Sequence, residues 1–524
     1  MTTLTLTLSP QQAASDAELR RLVARELSLE PETIHSIQVR RRNIDARQRR
    51  ILVNLMLDVY LEGEAPAVDD FSDLVYPDVS SSPQTIVVGA GPCGLFAALR
   101  LIELGVRPVV VERGQDVVQR RRDLVQLEKT GLVDPESNYS FGEGGAGAFS
   151  DGKLYTRSRK RGSVEKILRV FCRFGADPKI LVDAHPHIGT DKLPIIIRRM
   201  REQILASGGE VHFGCRMEEL LLERGEVRGI VTADGRSFTG PVLLATGHSA
   251  RDVYRYLHGA GVLIEAKPIA VGVRLEHPQK LIDQIRYHSP VGRGAYLPAA
   301  EYVYKAQVGG RGVYSFCMCP GGFVVPASTG PEETVVNGMS PANRGSRWAN
   351  SGMVVELHPE DILETDIAVE DPTSPLALMH WCQEFERRSY IAAECSLRAP
   401  AQRMTDFVKG RFSQSLPSSS YSMGLTPSAL HEWMPRFVAQ RLAEGFRAFD
   451  RSTRGFLTEE AQLIGVESRT SSPVRIPRDR ETYCHPVVSG LYPAGEGAGF
   501  AGGIVSAAID GENAAQQIAL ALGR

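Results

Sequence analysis

The sequence predicts an α/β fold: a parallel-sheet domain assembled from two separated segments, an α+β domain inserted between them, and a small α+β domain in front. Three observations predict it. Residues Thr85–Val88, Gly91–Leu104 and Pro108–Val111 read as strand, helix and strand, with a glycine-rich turn at the first junction. The stretch 262–464 changes character, to mixed strands, proline-rich loops and later helices without such a turn. From about residue 465 the glycine-rich strand–turn–helix pattern returns and runs into a final helix over Gly503–Leu522. The expected division is a small domain over 1–62, a linker over 63–83, the parallel-sheet domain over 84–261 and 465–524, and the insert over 262–464.

The small domain opens with an alternating run, Thr-Leu-Thr-Leu-Thr-Leu, before a helix over Asp16–Leu27 and two strands over Ser36–Arg41 and Ile51–Tyr60. Its hairpin carries Arg40, Arg41, Arg42, Arg47, Arg49 and Arg50 against one acid, Asp45. We read this as a solvated face, because no aromatic residues are interleaved for stacking; an anion or RNA surface is the second reading. Residues 63–83 are acidic and rich in proline and serine, as linkers are. In the first half of the main domain, a helix is expected over Asp191–Ser207, capped by Thr190 or Asp191 and ended by Gly208-Gly209. Short strands then alternate with turns from Val211 until a final strand, Val242–Ala245.

Composition narrows the class. The chain has 524 residues, 43% apolar and 23% charged, with a formal net charge of −2. That is an ordinary globular balance and gives no global electrostatic reason to bind nucleic acid or membrane. The eight cysteines are scattered, which favours a reducing compartment. The first residues lack a basic region followed by an apolar core, and no apolar run is long enough to span a bilayer. A soluble, cytoplasmic protein is expected; the sequence leaves its oligomeric state open.

Three Gly-x-Gly-x-x-Gly strings occur, and context separates them. Only Gly89-Ala-Gly91-Pro-Cys-Gly94 follows a strand, opens a helix and leads to a second strand ending in an acid, Glu112. Gly89 allows the tight turn, Gly91 a close approach of backbone to a pyrophosphate, and Gly94 close helix–strand packing. Glu112 stands where a carboxylate accepts hydrogen bonds from a ribose. The string Gly142–Gly147 lacks the flanking strand and helix, and after Gly497–Gly502 too little chain remains for a second such unit.

A nicotinamide-only dehydrogenase has no need of a second glycine-rich segment at its C-terminal end. Here Leu491-Tyr-Pro-Ala-Gly495-Glu496 runs on through Gly502, Gly503 and Ile504, and resembles the closing motif of the glutathione-reductase-like flavoproteins. That resemblance implies FAD as cofactor, with Glu496 toward the ribityl or phosphate region and the following helix toward the flavin. A helix N-terminus stabilises negative charge there by roughly 0.5–2 kcal/mol. Leu243-Leu-Ala-Thr246-Gly247 matches the strand end that returns beneath the dinucleotide.

More specifically the chain resembles a bacterial and plastid family known only as FAD-dependent dehydrogenases. The shared stretches are Phe141–Leu154, His185–Leu193, Thr246–Ala250, Cys317–Gly322, Ala399–Arg403 and Ser468–Arg475. The resemblance implies a Rossmann-like FAD domain and an inserted substrate or cap domain, with no assigned reaction.

Within those stretches, Gly145, Gly147 and Ser150 are expected flavin contacts, because the backbone must lie flat against the ring. Cys317 and Cys319 are candidate redox groups, but two buried, unreactive thiols on one strand face is the preferred reading. His185 and His187 lack a third ligand, so no metal is expected. His248 reads as a hydrogen-bonding group near the nucleotide. Arg398, Arg403, Arg469 and Arg475 are candidates to anchor a carboxylate or enolate-like oxygen. The expected reaction is hydride transfer between flavin and a small organic substrate, with transient NAD(P)H binding left open. The alternatives are an NAD(P)H-fed monooxygenase or oxidase, and a flavin-containing binding protein that uses the basic hairpin.

Overall fold

The computed structural model describes residues 1–66, 69–156 and 161–524. At its centre lies a five-stranded parallel sheet. Its order is Leu491–Pro493, Val242–Leu244, Gln84–Val88, Arg107–Val111 and Glu210–His212. The strand nearest the C-terminus therefore closes one edge of a sheet begun some 400 residues earlier, beside Val242–Leu244.

Strand periodicity divides these residues between two cores, as expected of a parallel sheet covered on both faces. Val87, Val110 and Leu243 face one side, packed under helices Pro92–Glu103, Leu193–Ala206 and Ile504–Ala521. Ile86, Val88, Val111 and Leu244 face the other. There they meet helix Arg251–Gly259 and an antiparallel sheet of Met217–Glu223, Glu226–Thr232 and Ser237–Thr239. The helix expected at Asp191 begins at Leu193 with Lys192 as its N-cap. Asp191 is diverted instead to accept the Ala342 amide at 2.7 Å.

The insert is built on a seven-stranded, largely antiparallel sheet whose long central pair, Ile269–Pro278 and Trp348–Leu357, is in register from Ile269↔Leu357 to Pro278↔Trp348. Helix Arg436–Ser452 covers it with Phe437, Val438, Leu442, Phe446 and Phe449, which recur at helical spacing. Strand Gln462–Glu467, buried throughout, pairs with Ile269–Pro278 and Ala399–Arg403 and so belongs to this sheet. The return to the parallel-sheet domain thus falls later than residue 465. It falls at a two-stranded neck, where Glu265–Ala266 pairs with Val474–Arg475.

The N-terminal strands Thr2–Leu8, Ile34–Asp45 and Leu52–Leu61 form an antiparallel sheet with the last strand central. Helix Asp16–Leu27 packs Leu19, Val23 and Ala24 onto it, and Ser15 caps the helix through the Glu18 amide. The arginine-bearing strand runs further than expected because its end docks on the main body. Arg42 exchanges backbone hydrogen bonds with Val182 and Ala184, and Ala46 and Ile51 pack against the insert's core. The expected linker is likewise pinned: Leu74 and Val79 are buried, and Asp69 and Asp73 both pair with Arg169. No helix among the described residues is long and apolar enough to cross a membrane.

Candidate cofactor site

A cavity of about 360 Å³ opens where the parallel-sheet domain meets the insert. The first glycine turn forms its floor. Gly89 has φ +106°, and a Cβ there would lie 2.4 Å from the Ala245 carbonyl oxygen. A Cβ on Gly94 would lie 1.8 Å from the Gly89 oxygen, so Gly94 serves packing and does not line the cavity. Gly91 does line it, and a Cβ there would meet only the Gly145 Cα, at 3.8 Å. Helix Pro92–Glu103 starts at Gly91 without a side-chain cap, so its first N–H groups face the cavity unpaired, as an anion site requires.

Glu112 is buried and also lines the cavity. Its carboxylate accepts the Ala90 amide at 2.8 Å and the Gly114 and Gly142 amides at 2.9 Å. A carboxylate has about four acceptor positions, so one remains for a ribose hydroxyl. Through these amides Glu112 ties two glycine-rich segments, at Ala90 and Gly142, to the end of its own strand at Gly114. The loop carrying Gly145, Gly147 and Ser150 also lines the cavity and lies against the first turn, where a Cβ on Gly145 would come 3.2 Å from the Gly91 Cα. Ser150 tightens it by donating to the Gly147 carbonyl at 2.7 Å.

Arg120, fully buried, holds this loop through the carbonyls of Asn138, Gly142, Glu143 and Gly145, at 2.8–3.2 Å. Sequence reasoning missed it inside the run Arg120-Arg121-Arg122. The signal was spacing: Arg120 falls in step with buried Val117, Leu124 and Leu127 on helix Val117–Thr130.

Thr246, Gly247, Glu496, Gly502, Gly503 and Ile504 complete the cofactor-facing wall. An added Cβ at Gly247, Gly502 or Gly503 would meet no protein atom within 4 Å. Glycine at these positions leaves room for something other than protein. Gly495 differs: its amide donates to Asp510 at 2.7 Å, and a Cβ there would press on Cys93, so it is structural. The Glu496 carboxyl makes no hydrogen bond to another described residue. Burial lifts its pKa to about 7, with the Cys317 sulfur adding to that and Lys267 opposing it. These open glycines, the free helix termini and the unpartnered Glu496 fit FAD.

Buried Tyr254 ties the wall together, its hydroxyl 2.9 Å from the Gly497 oxygen, 3.0 Å from Ser472 Oγ and 3.2 Å from the Gly247 oxygen. Tyr254→Phe is expected to cost about 1–2 kcal/mol and to weaken FAD retention. Thermal unfolding with and without added FAD measures both; equal melting curves for the two proteins would refute the role.

Of the four candidate arginines, only Arg469 lines the cavity. It donates to Thr329 Oγ1 at 2.6 Å, to Glu333 at 2.7 Å and to Glu386 at 3.2 Å, while its buried Nε has no partner among the described residues. The other three are elsewhere. Arg398 is exposed at a separate cleft and bonds to Thr426 and the Leu425 carbonyl. Arg403 is saturated by Ser415 and the Glu459 carbonyl. Arg475 is exposed at the neck, 5.5 Å from the Phe500 ring. Their strands end away from the cavity, which proximity in sequence to the crossover did not reveal.

His248 lines the cavity beside Arg469, with Nδ1 2.9 Å from Ser249 Oγ. Burial and then the charges of Arg469, Arg251 and Lys267 push its pKa down to about 4, so it is neutral at pH 7. His185 and His187 are engaged separately, with Glu301 and the Ala342 carbonyl. Among the described residues no group of three or more histidine, cysteine, aspartate and glutamate side chains is placed to hold a metal. Cys319 is buried, but Cys317 opens onto the cavity, so two buried thiols on one strand face is not what the chain builds.

Comparison with known proteins places sequence matches on the same segments. Residues 82–130 match a family described as FAD binding domain, and residues 268–470 match one described as FAD-dependent protein, C-terminal domain-like. Residues 1–60 match a domain of unknown function. An uncharacterized protein of Clostridium beijerinckii is 38% identical over 519 residues, 95% of each chain. Among solved structures, a geranylgeranyl bacteriochlorophyll reductase-like protein from Thermoplasma acidophilum is 14% identical with a TM-score of 0.35, covering 84% of this chain and 79% of that one. A glycine oxidase from Bacillus cereus is 12% identical with a TM-score of 0.30, covering 83% and 95%.

Proposed function

This chain belongs to a family of FAD-dependent flavoproteins, and from that premise we propose that it passes two electrons between FAD and a small organic anion admitted beneath the insert. The carrying observation is Arg469. Of the four candidate arginines it alone stands on the wall of the cavity that holds the cofactor's glycines, beside His248.

FAD, when bound, supplies the redox chemistry; the chain supplies position and charge. Gly89, Gly91 and the start of helix Pro92–Glu103 would hold the pyrophosphate, and Glu112 the ribose. Glu496 and the uncapped start of helix Ile504–Ala521 would hold the flavin end. Arg469, on the cavity wall, supplies the positive charge toward the substrate's anionic oxygen. Neutral His248, its Nδ1 engaged by Ser249, keeps Nε2 to take up or deliver a proton.

Two features weigh against the basic hairpin as a dedicated binding surface. Arg40 and Arg47 are engaged by Asp58 and Asp45, and the strand end is docked on the body.

The test is anaerobic mixing of the FAD-loaded protein with NADH, NADPH and a panel of small carboxylates, read at the flavin absorbance. A carboxylate is expected to bleach the flavin. Arg469→Gln is then expected to weaken that compound tenfold or more, the loss of one charge-assisted hydrogen bond, with FAD retained. Bleaching by a nicotinamide alone, followed by rapid oxygen consumption, would instead establish the monooxygenase or oxidase. An Arg469→Gln protein of undiminished affinity would remove Arg469 from the site.

A further inference from the structure

Strand Arg311–Cys319 leaves its register at the cavity. Phe316 pairs with Gly352 but Cys319 pairs with Asn350, so one extra residue is inserted, and Cys317 takes φ +45°. On a regular strand Cys317 and Cys319 would point the same way. The bulge instead turns Cys317 into the cavity wall, on the insert side, and leaves Cys319 buried behind it.

A buried cation is aimed at this pair. Arg274, on strand Ile269–Pro278, donates through Nη2 to the Cys317 carbonyl at 2.7 Å and reaches Cys319 Sγ at 3.3 Å. Asn350 and Asn337 fix the guanidinium, and Glu467 pairs with it at 3.0 Å. Gly338 is part of the arrangement: a Cβ there would lie 2.2 Å from Arg274 Nη2. Lys153 donates to the carbonyl of Met318, the residue between the cysteines. Two thiols serving only as filler need neither the bulge nor a buried arginine against the sulfur.

We propose that Cys317 and Cys319 are a second redox centre that exchanges two electrons with FAD in the shared cavity. In one direction the two thiols close an S–S bond and pass two electrons and two protons to oxidised FAD. In the other, reduced FAD returns them and the S–S bond breaks. The small ring closed by a C-x-C disulfide is strained, which makes it readily reduced, as a working redox pair must be. Cys317 is the attacking sulfur. A hydrogen bond from Cys319, against burial and aided by Arg274 and Lys153, holds the Cys317 thiol below the usual range, while Cys319 is pushed well up. Asp151, Glu467 and Glu496 are the acids that face this thiolate.

The proposal goes beyond the substrate reading and rests only on FAD occupying the cavity. The test is an anaerobic dithionite titration of FAD-loaded protein first oxidised with diamide, with mass spectrometry of the peptide spanning Cys317 and Cys319. Wild type is expected to take up four electrons per FAD, and Cys317→Ser and Cys319→Ser two. The oxidised wild-type peptide is expected to be lighter by two hydrogens and to regain them on reduction. Iodoacetamide is expected to label Cys317 of the reduced protein in preference to Cys319. Uptake of two electrons by FAD-loaded wild type, with no mass change, would overturn the pair alone. A protein that retains no FAD would overturn both this proposal and the function above.

Discussion

Gly91→Val is expected to lower FAD affinity at least a hundredfold while leaving the apoprotein folded. Gly91 has φ −76° and ψ −175°, a conformation open to any residue, and its Cβ direction is met only by Gly145 Cα at 3.8 Å. No protein neighbour demands glycine there. The demand comes from whatever lies against the uncapped helix start, and two valine methyls would occupy that space. Gly94→Ala provides the contrast. Its single Cβ would lie 1.8 Å from the Gly89 oxygen, inside the turn, and is expected to cost on the order of 3 kcal/mol or more. Thermal unfolding of FAD-stripped protein separates the two effects, and titration with FAD by flavin fluorescence reads affinity. A Gly91→Val protein that holds FAD as wild type does would place the pyrophosphate elsewhere.

Glu386→Ala is expected to destabilise the protein by about 3–5 kcal/mol, because removing one member of a buried ionic cluster strands the others. Glu386 lies fully buried on helix Ala377–Ala392. It accepts Arg251 through both terminal nitrogens, at 2.7 and 2.8 Å, as well as Ser468 at 2.6 Å and Arg469 at 3.2 Å. Arg251 follows the Thr246-Gly247 strand end, and Arg469 belongs to the segment returning from the insert, so one carboxylate fastens the two domains around the cavity. Burial raises its pKa, but Arg251 and Arg469 outweigh burial and hold it below the usual carboxylate range. The sign follows from that direction. The contribution is complete above the unfolded value of 4.5 and fades as pH falls through the lower folded value. The stability gap between wild type and Glu386→Gln, measured by urea unfolding, should therefore be constant near neutrality and shrink in acid. A gap that widened in acid would contradict the assignment.

Much of this was legible in the sequence where local pattern and tertiary demand coincide. The unit from Gln84 to Val111 was readable because apolar period, turn glycines and terminal acid all point to one structure. The helix around Asp16–Leu27 was readable because its apolar spacing and first-turn acids are local signals. What escaped depended on partners far along the chain. Residues 63–83 read as a linker because Leu74 and Val79 are sparse among polar residues, yet both find the core. Cys317 and Cys319 read as one strand face because a single inserted residue, set by pairing with Trp348–Leu357, leaves no mark in the local pattern. Arg469 could not be told from Arg398, Arg403 and Arg475 without knowing which strand ends meet the cavity.

The central claim is that this cavity holds FAD. The most direct measurement is the visible spectrum of the purified protein after gel filtration, before and after incubation with FAD. Flavin bands near ~450 nm that co-elute with the protein are the predicted result. A colourless protein that FAD fails to reconstitute would contradict the account.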